Sequence, residues 1–267
     1  MTDSPLYFKY HEIRNRTLAL IEPLLDEDCC VQSMEETSPV KWHLGHIAWF
    51  FEIFVLQHYE KSYKPFHEHF TTMFSSYDKT GKTHPDPKRG LFTRPPLREI
   101  REYCKNVDTR MGGILDMAEQ DEMLRMLIVL GMHHEQQHQE LILTDIKHLF
   151  SQNPLYPSYR SCSSDSDATA PPALEWHQFP GGLVEIGFEG EGFSYDNESP
   201  RHKQFLEPYL LATRLVTNGE YLQFIEAGGY ENPALWLSEG WDWIKANKRC
   251  QPLYWHKEDN GWKEFTL

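Results

Sequence analysis

Apolar residues recur at helical spacing along most of the first 150 positions, and the pattern changes from Leu174 onward. A first helix is predicted from about Tyr7 to Leu25. A second has a clear start, with Ser38 as N-cap and Pro39 at the first helical position, and runs to about Tyr59. Residues 61–96 are rich in Pro, Gly, Lys and Asp, with several aromatics, and read as a long connection. A loop of that length inside a compact domain is usually functional. A third helix is expected from about Pro96 to Ala118, and a fourth, the longest, from Asp121 to Phe150, ending before Asn153-Pro154. Four helices with one long crossover predict a helix bundle over residues 1–160.

Residues 161–173 are Ser, Asp, Ala and Pro with almost nothing to bury, and read as an interdomain linker. The segment 174–267 reads as a second domain. Gly181–Phe188 resembles a strand, and the run from His202 to Ala212 a pair of short strands. Thr217 and Glu220 form a capping-box pattern opening a short helix through Ala227, and Ser238 can cap another through about Lys248. Asn260-Gly261 is expected at the two-residue turn of a hairpin. The chain stops at Leu267 inside an expected strand, which would leave a sheet edge unmet. The fold class is therefore α+β, with an incomplete second domain expected.

Composition narrows the chemistry. Hydrophobic residues at 40% and charged residues at 25% are those of a soluble globular protein, and 13% aromatics suggest ring-filled cores or pockets. The formal net charge of -14 argues against a nucleic-acid partner, whose phosphates need clustered Lys and Arg. The N-terminus has no basic start followed by an apolar run, and no stretch approaches the roughly 20 apolar residues of a membrane span. Cys29, Cys30, Cys104, Cys162 and Cys250 are odd in number without framework spacing, as expected of reduced thiols in a cytoplasmic protein.

The strongest chemical signal lies in the fourth helix, where His134 and His138 stand four apart and can share one metal. Leu124, Leu127, Gly131, His134, His138 and Leu141 follow the alternating spacing of a buried seam, with Gly131 leaving room one turn below the histidines. In the second helix Trp42, His46, Trp49, Ile53 and Leu56 share that spacing, with His46 the polar member. One histidine from helix two and two from helix four would converge inside the bundle, leaving positions open for dioxygen or substrate. A lone His in an apolar stripe is more often a satisfied core histidine, and 14 histidines make accidental pairings cheap. Spacing cannot choose His46 over His43, His67 or His69. His134-Glu135-x-x-His138 also matches the zinc-protease pattern, but the family's downstream third ligand is missing and, Asp145 excepted, the next acids lie in the linker or beyond.

Four segments of the helical part carry a resemblance: SPVKWHLGHIAWFFE (38–52), RGLFTRP (89–95), HHEQQHQELILTDIKH (133–148) and NPLYP (153–157). They resemble the N-terminal DinB-like domain of hercynine oxygenases, the non-haem iron sulfoxide synthases of ergothioneine biosynthesis. EIGFEGEGFSYDNESPRH (185–202) and RLVTNGEYLQFI (214–225) resemble that family's C-terminal domain, related to formylglycine-generating enzyme and C-type-lectin-like in fold. The resemblance places the family's His-x3-His-x-Glu motif on His134, His138 and Glu140, and its upstream ligand on His46. It implies Fe(II) as cofactor and the substrates hercynine, dioxygen and a cysteine-containing thiol, cysteine or gamma-glutamylcysteine, joined as a sulfoxide. It also implies Glu140 as an outer carboxylate orienting a ligand imidazole, Gln137 near hercynine, and Arg89 and Arg94 as forks for thiol-substrate carboxylates.

Family members continue well past position 267, with a proton-donating tyrosine and further substrate contacts in the remainder. Two other readings follow from the same motifs: an ovothiol-type 5-histidylcysteine sulfoxide synthase, which takes histidine and cysteine, and a non-catalytic metal-binding fragment. No nucleic acid and no membrane are expected as partners.

Overall fold

The structure, a computed structural model, describes residues 4–76, 88–161 and 170–267. Most of the linker (162–169) and Tyr77, which sits in the long connection, lie outside the described residues. The chain divides into two compact units, Met1–Cys162 with Thr266–Leu267, and Ser163–Phe265.

The first unit is the helix bundle. Its first helix, α1 (Pro5–Ile21), stops short of the expected Leu25, and Pro23, just past its end, has no N–H to donate to the ladder. α2 runs over Val40–Phe51, passes through a π-helical turn at Glu52–Leu56 and finishes as Gln57–Tyr59. Its N-cap position is Pro39, not the expected Ser38. The Ser38 hydroxyl is engaged elsewhere, accepting Arg89 Nη1 at 2.6 Å, while its N–H donates to Asp145 Oδ2 at 2.9 Å. The third predicted helix is divided into α3 (Leu97–Met111) and a 3-10 turn at Leu115–Glu119, with Gly112-Gly113 between them. α4 (Glu122–Ser151) opens as predicted, with the Asp121 carboxylate accepting the Leu124 N–H at 3.0 Å. The long connection contains single turns at Phe70–Met73 and Arg89–Leu91.

α2 packs on both α3 and α4, and α4 also packs on α1. Every residue of Val40–Phe51 is buried, as a helix with core on all sides must be. Two glycines permit the close approach. A Cβ on Gly131 would lie 2.6 Å from Phe51 Cε1, and one on Gly45 2.4 Å from Phe74 Cε1. The buried line of α4 differs from the predicted seam. It runs Leu124, Ile128, Gly131, Glu135, His138, Ile142 and Asp145. Leu127 is half-buried, Leu141 exposed, and His134 stands at the seam's edge. The physical cause is Glu135, turned towards α1, where its Oε1 accepts Thr17 Oγ1 at 2.5 Å and pairs with Arg14 Nη1 at 3.3 Å.

The second unit holds three two-stranded antiparallel sheets. β1 (Trp176–Phe179), which the hydropathy pattern did not reveal, pairs with β4 (Tyr209–Ala212), and β2 (Gly182–Ile186) pairs with β3 (His202–Leu206). β5 (Trp255–Glu258) and β6 (Gly261–Glu264) form the predicted hairpin, but Glu258 faces Gly261, so its turn is Asp259-Asn260. Gly261, at φ +124°, takes the first strand position instead. α5 (Asn218–Glu226) carries the predicted capping box of Thr217 and Glu220. In α6 (Ser238–Asn247) the N-cap is Leu237, so Ser238 is already inside the helix. The architecture is mixed, helical bundle followed by small sheets and helices, as the α+β class requires.

Candidate metal centre

The two helices that Gly131 lets approach bring three imidazoles together. His46 of α2 and His134 and His138 of α4 offer ligand nitrogens all within 4.8 Å of one another, the one such grouping of three found among the described residues. His46 Nε2 lies 3.0 Å from His134 Nε2, and His138 Nε2 lies 3.2 Å from the same atom. His67 and His69, the other candidates in the long connection, are exposed, with their rings tilted to each other at 5.5 Å.

Two of the rings are held by their far nitrogens. His46 Nδ1–H donates to the Phe74 carbonyl at 2.6 Å, which leaves its Nε2 lone pair pointing into the cluster. His138 Nδ1 is 2.8 Å from His43 Nδ1, and His43 Nε2 is 2.9 Å from Asp145 Oδ2. His134 Nδ1 is buried without a hydrogen-bond partner. Around them Trp42 and Trp49 stack on His46 at 4.7 and 5.2 Å, and Phe50 stacks on His134 at 4.7 Å. These rings wall His46 on both faces and His134 on one.

That environment keeps the rings uncharged. Burial first, and then the nearby His134, push His46 down to about 3. Burial brings His134 down to about 4. His138 is driven lower still by burial and by the facing His43, His46 and His134. Three neutral imidazoles whose lone pairs converge cannot all be satisfied by protons among themselves, and a cation is the species that fits between them.

The remaining predicted positions fall into different places. Arg89 is half-buried, its guanidinium 3.6 Å from the Trp42 ring centroid and its Nη1 on Ser38, with Nε left without a partner. Burial lowers its affinity for the proton. Arg94 is exposed, and its Nη1 donates to the Thr93 carbonyl at 3.1 Å. Gln137 is exposed and stands one turn from the half-buried His134 on α4. Glu140 is also exposed, and the rings it was expected to orient are held instead by the Phe74 carbonyl and by His43. Glu135, the acid of the protease-like pattern, is 1% exposed and faces Arg14 and Thr17, away from a role as base beside the imidazoles.

A helical bundle with an all-histidine cluster built across two core helices, followed by a mixed α/β unit, defines the class. Residues 9–142 match the DinB superfamily, and residues 166–264 match the sulfatase-modifying factor enzyme 1-like domain. The hercynine oxygenase of Mycolicibacterium smegmatis is 26% identical over 92% of this chain and 55% of its own length. That of Mycolicibacterium thermoresistibile is 26% identical over 92% and 54%, and that of Mycobacterium tuberculosis 24% over 91% and 55%. The chain belongs to the DinB superfamily, and across both of its parts it is similar to the hercynine oxygenases. It spans about half the length of the curated relatives it matches. No helix among the described residues is long and apolar enough to cross a membrane.

Proposed function

We propose that His46, His134 and His138 hold Fe(II) and that the chain takes part in the dioxygen-dependent joining of a thiol sulfur to the imidazole of hercynine, with oxidation to the sulfoxide. The observation that carries this reading is the convergence of three Nε2 atoms, two of them with their Nδ1 groups bonded elsewhere. Imidazole ligands suit iron, and three of them leave room for exchangeable partners. Bound Fe(II) would supply open positions that gather thiolate, imidazole and dioxygen into one local encounter.

The chain's own side chains do the rest. Trp42, Trp49 and Phe50 pack against the ligand rings and would hold them in place. Arg89, whose Nε has no partner and whose guanidinium lies over Trp42, would fork a carboxylate of cysteine or gamma-glutamylcysteine. Gln137, on the open side by His134, can hydrogen-bond hercynine as it enters. Small-molecule substrates and a cytoplasmic setting accord with this chemistry.

The test is anaerobic loading with Fe(II), followed by dioxygen, hercynine and either thiol. Sulfoxide formation is the expected result, and the preferred thiol names the donor. Product from histidine and cysteine alone would replace this reading with the ovothiol-type synthase. Stoichiometric iron without product from any pair would make the chain a metal-binding module, as its half-length coverage of the relatives allows.

A further inference from the structure

The ligand rings are oriented in different ways. His46 leans on a backbone carbonyl, whereas His138 leans on a second imidazole with a carboxylate behind it. His43 is 2% exposed and Asp145 9%, so water does not compete for either. The arrangement crosses the helix pair. His43 projects from α2 and bonds to two residues of α4 that are seven apart, which is about two turns and about 10 Å along the axis. Positions seven apart on a helix share a face, so His138 and Asp145 can both reach the same partner.

Proton bookkeeping gives the arm its direction. Asp145 Oδ2 accepts, so a His43 ring with a single N–H carries it on Nε2 and presents a lone pair at Nδ1. That lone pair can only accept, so the His138 proton sits on Nδ1 and its Nε2 is left free. Nε2 is the atom facing His134 in the cluster. We infer that Asp145 and His43 form a positioning arm that fixes the tautomer and ring orientation of His138 for metal binding. The inference rests on the metal-centre reading above.

The same carboxylate oxygen accepts the Ser38 N–H, and the Ser38 hydroxyl accepts Arg89 Nη1. Asp145 therefore anchors both the His138 arm and the segment on which Arg89 rests. A carboxylate–imidazole pair behind a ligand imidazole raises its basicity and holds its ring in place, and loss of such partners costs about 10–100-fold in metal affinity.

Co(II) titration of the full chain, followed by chelator competition and the Co(II) absorption bands, tests the arm. His43→Leu removes the acceptor and is expected to weaken Co(II) binding about 10–100-fold and to shift the bands. His43→Gln offers an amide oxygen to His138 and an amide N–H to Asp145, and is expected to return affinity to within about threefold with wild-type bands. A helix clamp with no influence on the ligand would lower the melting temperature of His43→Leu while leaving Co(II) affinity and spectrum unchanged, and that result overturns the inference. Should His43→Leu not fold, Asp145→Asn decides. It keeps an oxygen for Ser38 and His43 but loses the charge, and unchanged affinity and bands in it equally overturn the arm. Wild-type chain that takes up neither Co(II) nor Fe(II) would refute the metal-centre reading itself, whereas wild-type uptake with insensitive variants refutes the arm alone.

Discussion

Gly131→Ala separates the fold from the site. A Cβ at this position would lie 2.6 Å from Phe51 Cε1, 2.7 Å from Cζ and 3.0 Å from Phe50 Cε1. Carbon atoms rest at about 3.5–4.0 Å, so the deficit is about 1 Å. Phe51 cannot swing aside. It is fully buried, with Tyr10 edge-on at 5.1 Å, Phe50 at 5.8 Å and the Arg14 guanidinium 5.8 Å from its centroid. The strain therefore pushes α4 from α2, the two helices that carry the imidazoles. A separation of that size would open the His46–His134 spacing from 3.0 Å towards the limit of about 4.2 Å that two imidazoles can span on one ion. Overpacking costs about 1–3 kcal/mol, and alanine recovers about 1 kcal/mol over glycine in a helix. The net is a destabilisation of about 0–2 kcal/mol, which the bundle survives. The variant is thus expected to stay folded by circular dichroism, to melt no more than about 8 °C lower, and to bind Co(II) at least about tenfold more weakly. A variant more stable by about 1 kcal/mol, as an unobstructed helical Gly→Ala would be, with wild-type metal affinity would refute the argument.

His134→Ala and His138→Ala should each lose stoichiometric iron by elemental assay, while His67→Ala, at an exposed loop position, retains it; equal iron in all three would remove the cluster from consideration. Stripping the metal with a chelator should lower the melting temperature by about 5–10 °C, from the roughly 2.7 kcal/mol that a ligand at a hundred times its dissociation constant contributes; coincident melts with and without chelator would argue against a specific site. Glu135→Ala leaves Arg14, 2% exposed, with only Asp108 at 3.0 Å as counter-charge, and should cost about 2–4 kcal/mol in urea unfolding, somewhat under the full loss for a broken buried pair. The folded fraction should keep its metal, and loss of metal with unaltered stability would restore Glu135 to the site. For the metal-free chain, His46 near 3 and His134 near 4 lie below the unfolded value of 6.5, so the unfolded state binds more protons between those limits. Stability from these two groups is present above pH 6.5 and is lost as pH falls towards 4; a urea midpoint equal in slope for wild type and His46→Leu over pH 6.5–5 would contradict it.

How much of this could be read beforehand turns on helix geometry. The histidine pair was legible because residues four apart on one helix necessarily neighbour each other, and the α4 cap was legible because Asp121 has a local partner in Leu124. The choice of His46 needed either the family resemblance or the structure, since both histidines of α2 reach α4 and spacing cannot say which joins the cluster and which bonds behind His138. The Phe74 carbonyl that holds His46 is backbone and carries no side-chain signal at all. The hairpin turn slipped by one residue because Asp259-Asn260 and Asn260-Gly261 are both good turn pairs, and only cross-strand packing selects between them.

The outer carboxylate is a different case, because its position was computable and the motif distracted from it. Residues of an α-helix are rotated by about 100° per step. Glu140, two steps from His138, is therefore about 200° around the helix from it, on the far side, and it is exposed. Asp145, seven steps on, returns to within about 20° of His138, and it is Asp145 that is buried in line with it. The same count rotates the buried seam away from His134 and Leu141 onto Glu135 and Ile142, where Arg14 of α1 is available to neutralise the acid. His134 is thereby left at the boundary of core and solvent while His46 and His138 remain inside. The exposed Gln137 stands one turn along from His134. The Glu135–Arg14 pair thus accompanies a rotation of α4 that buries His138 and leaves His134 half-buried.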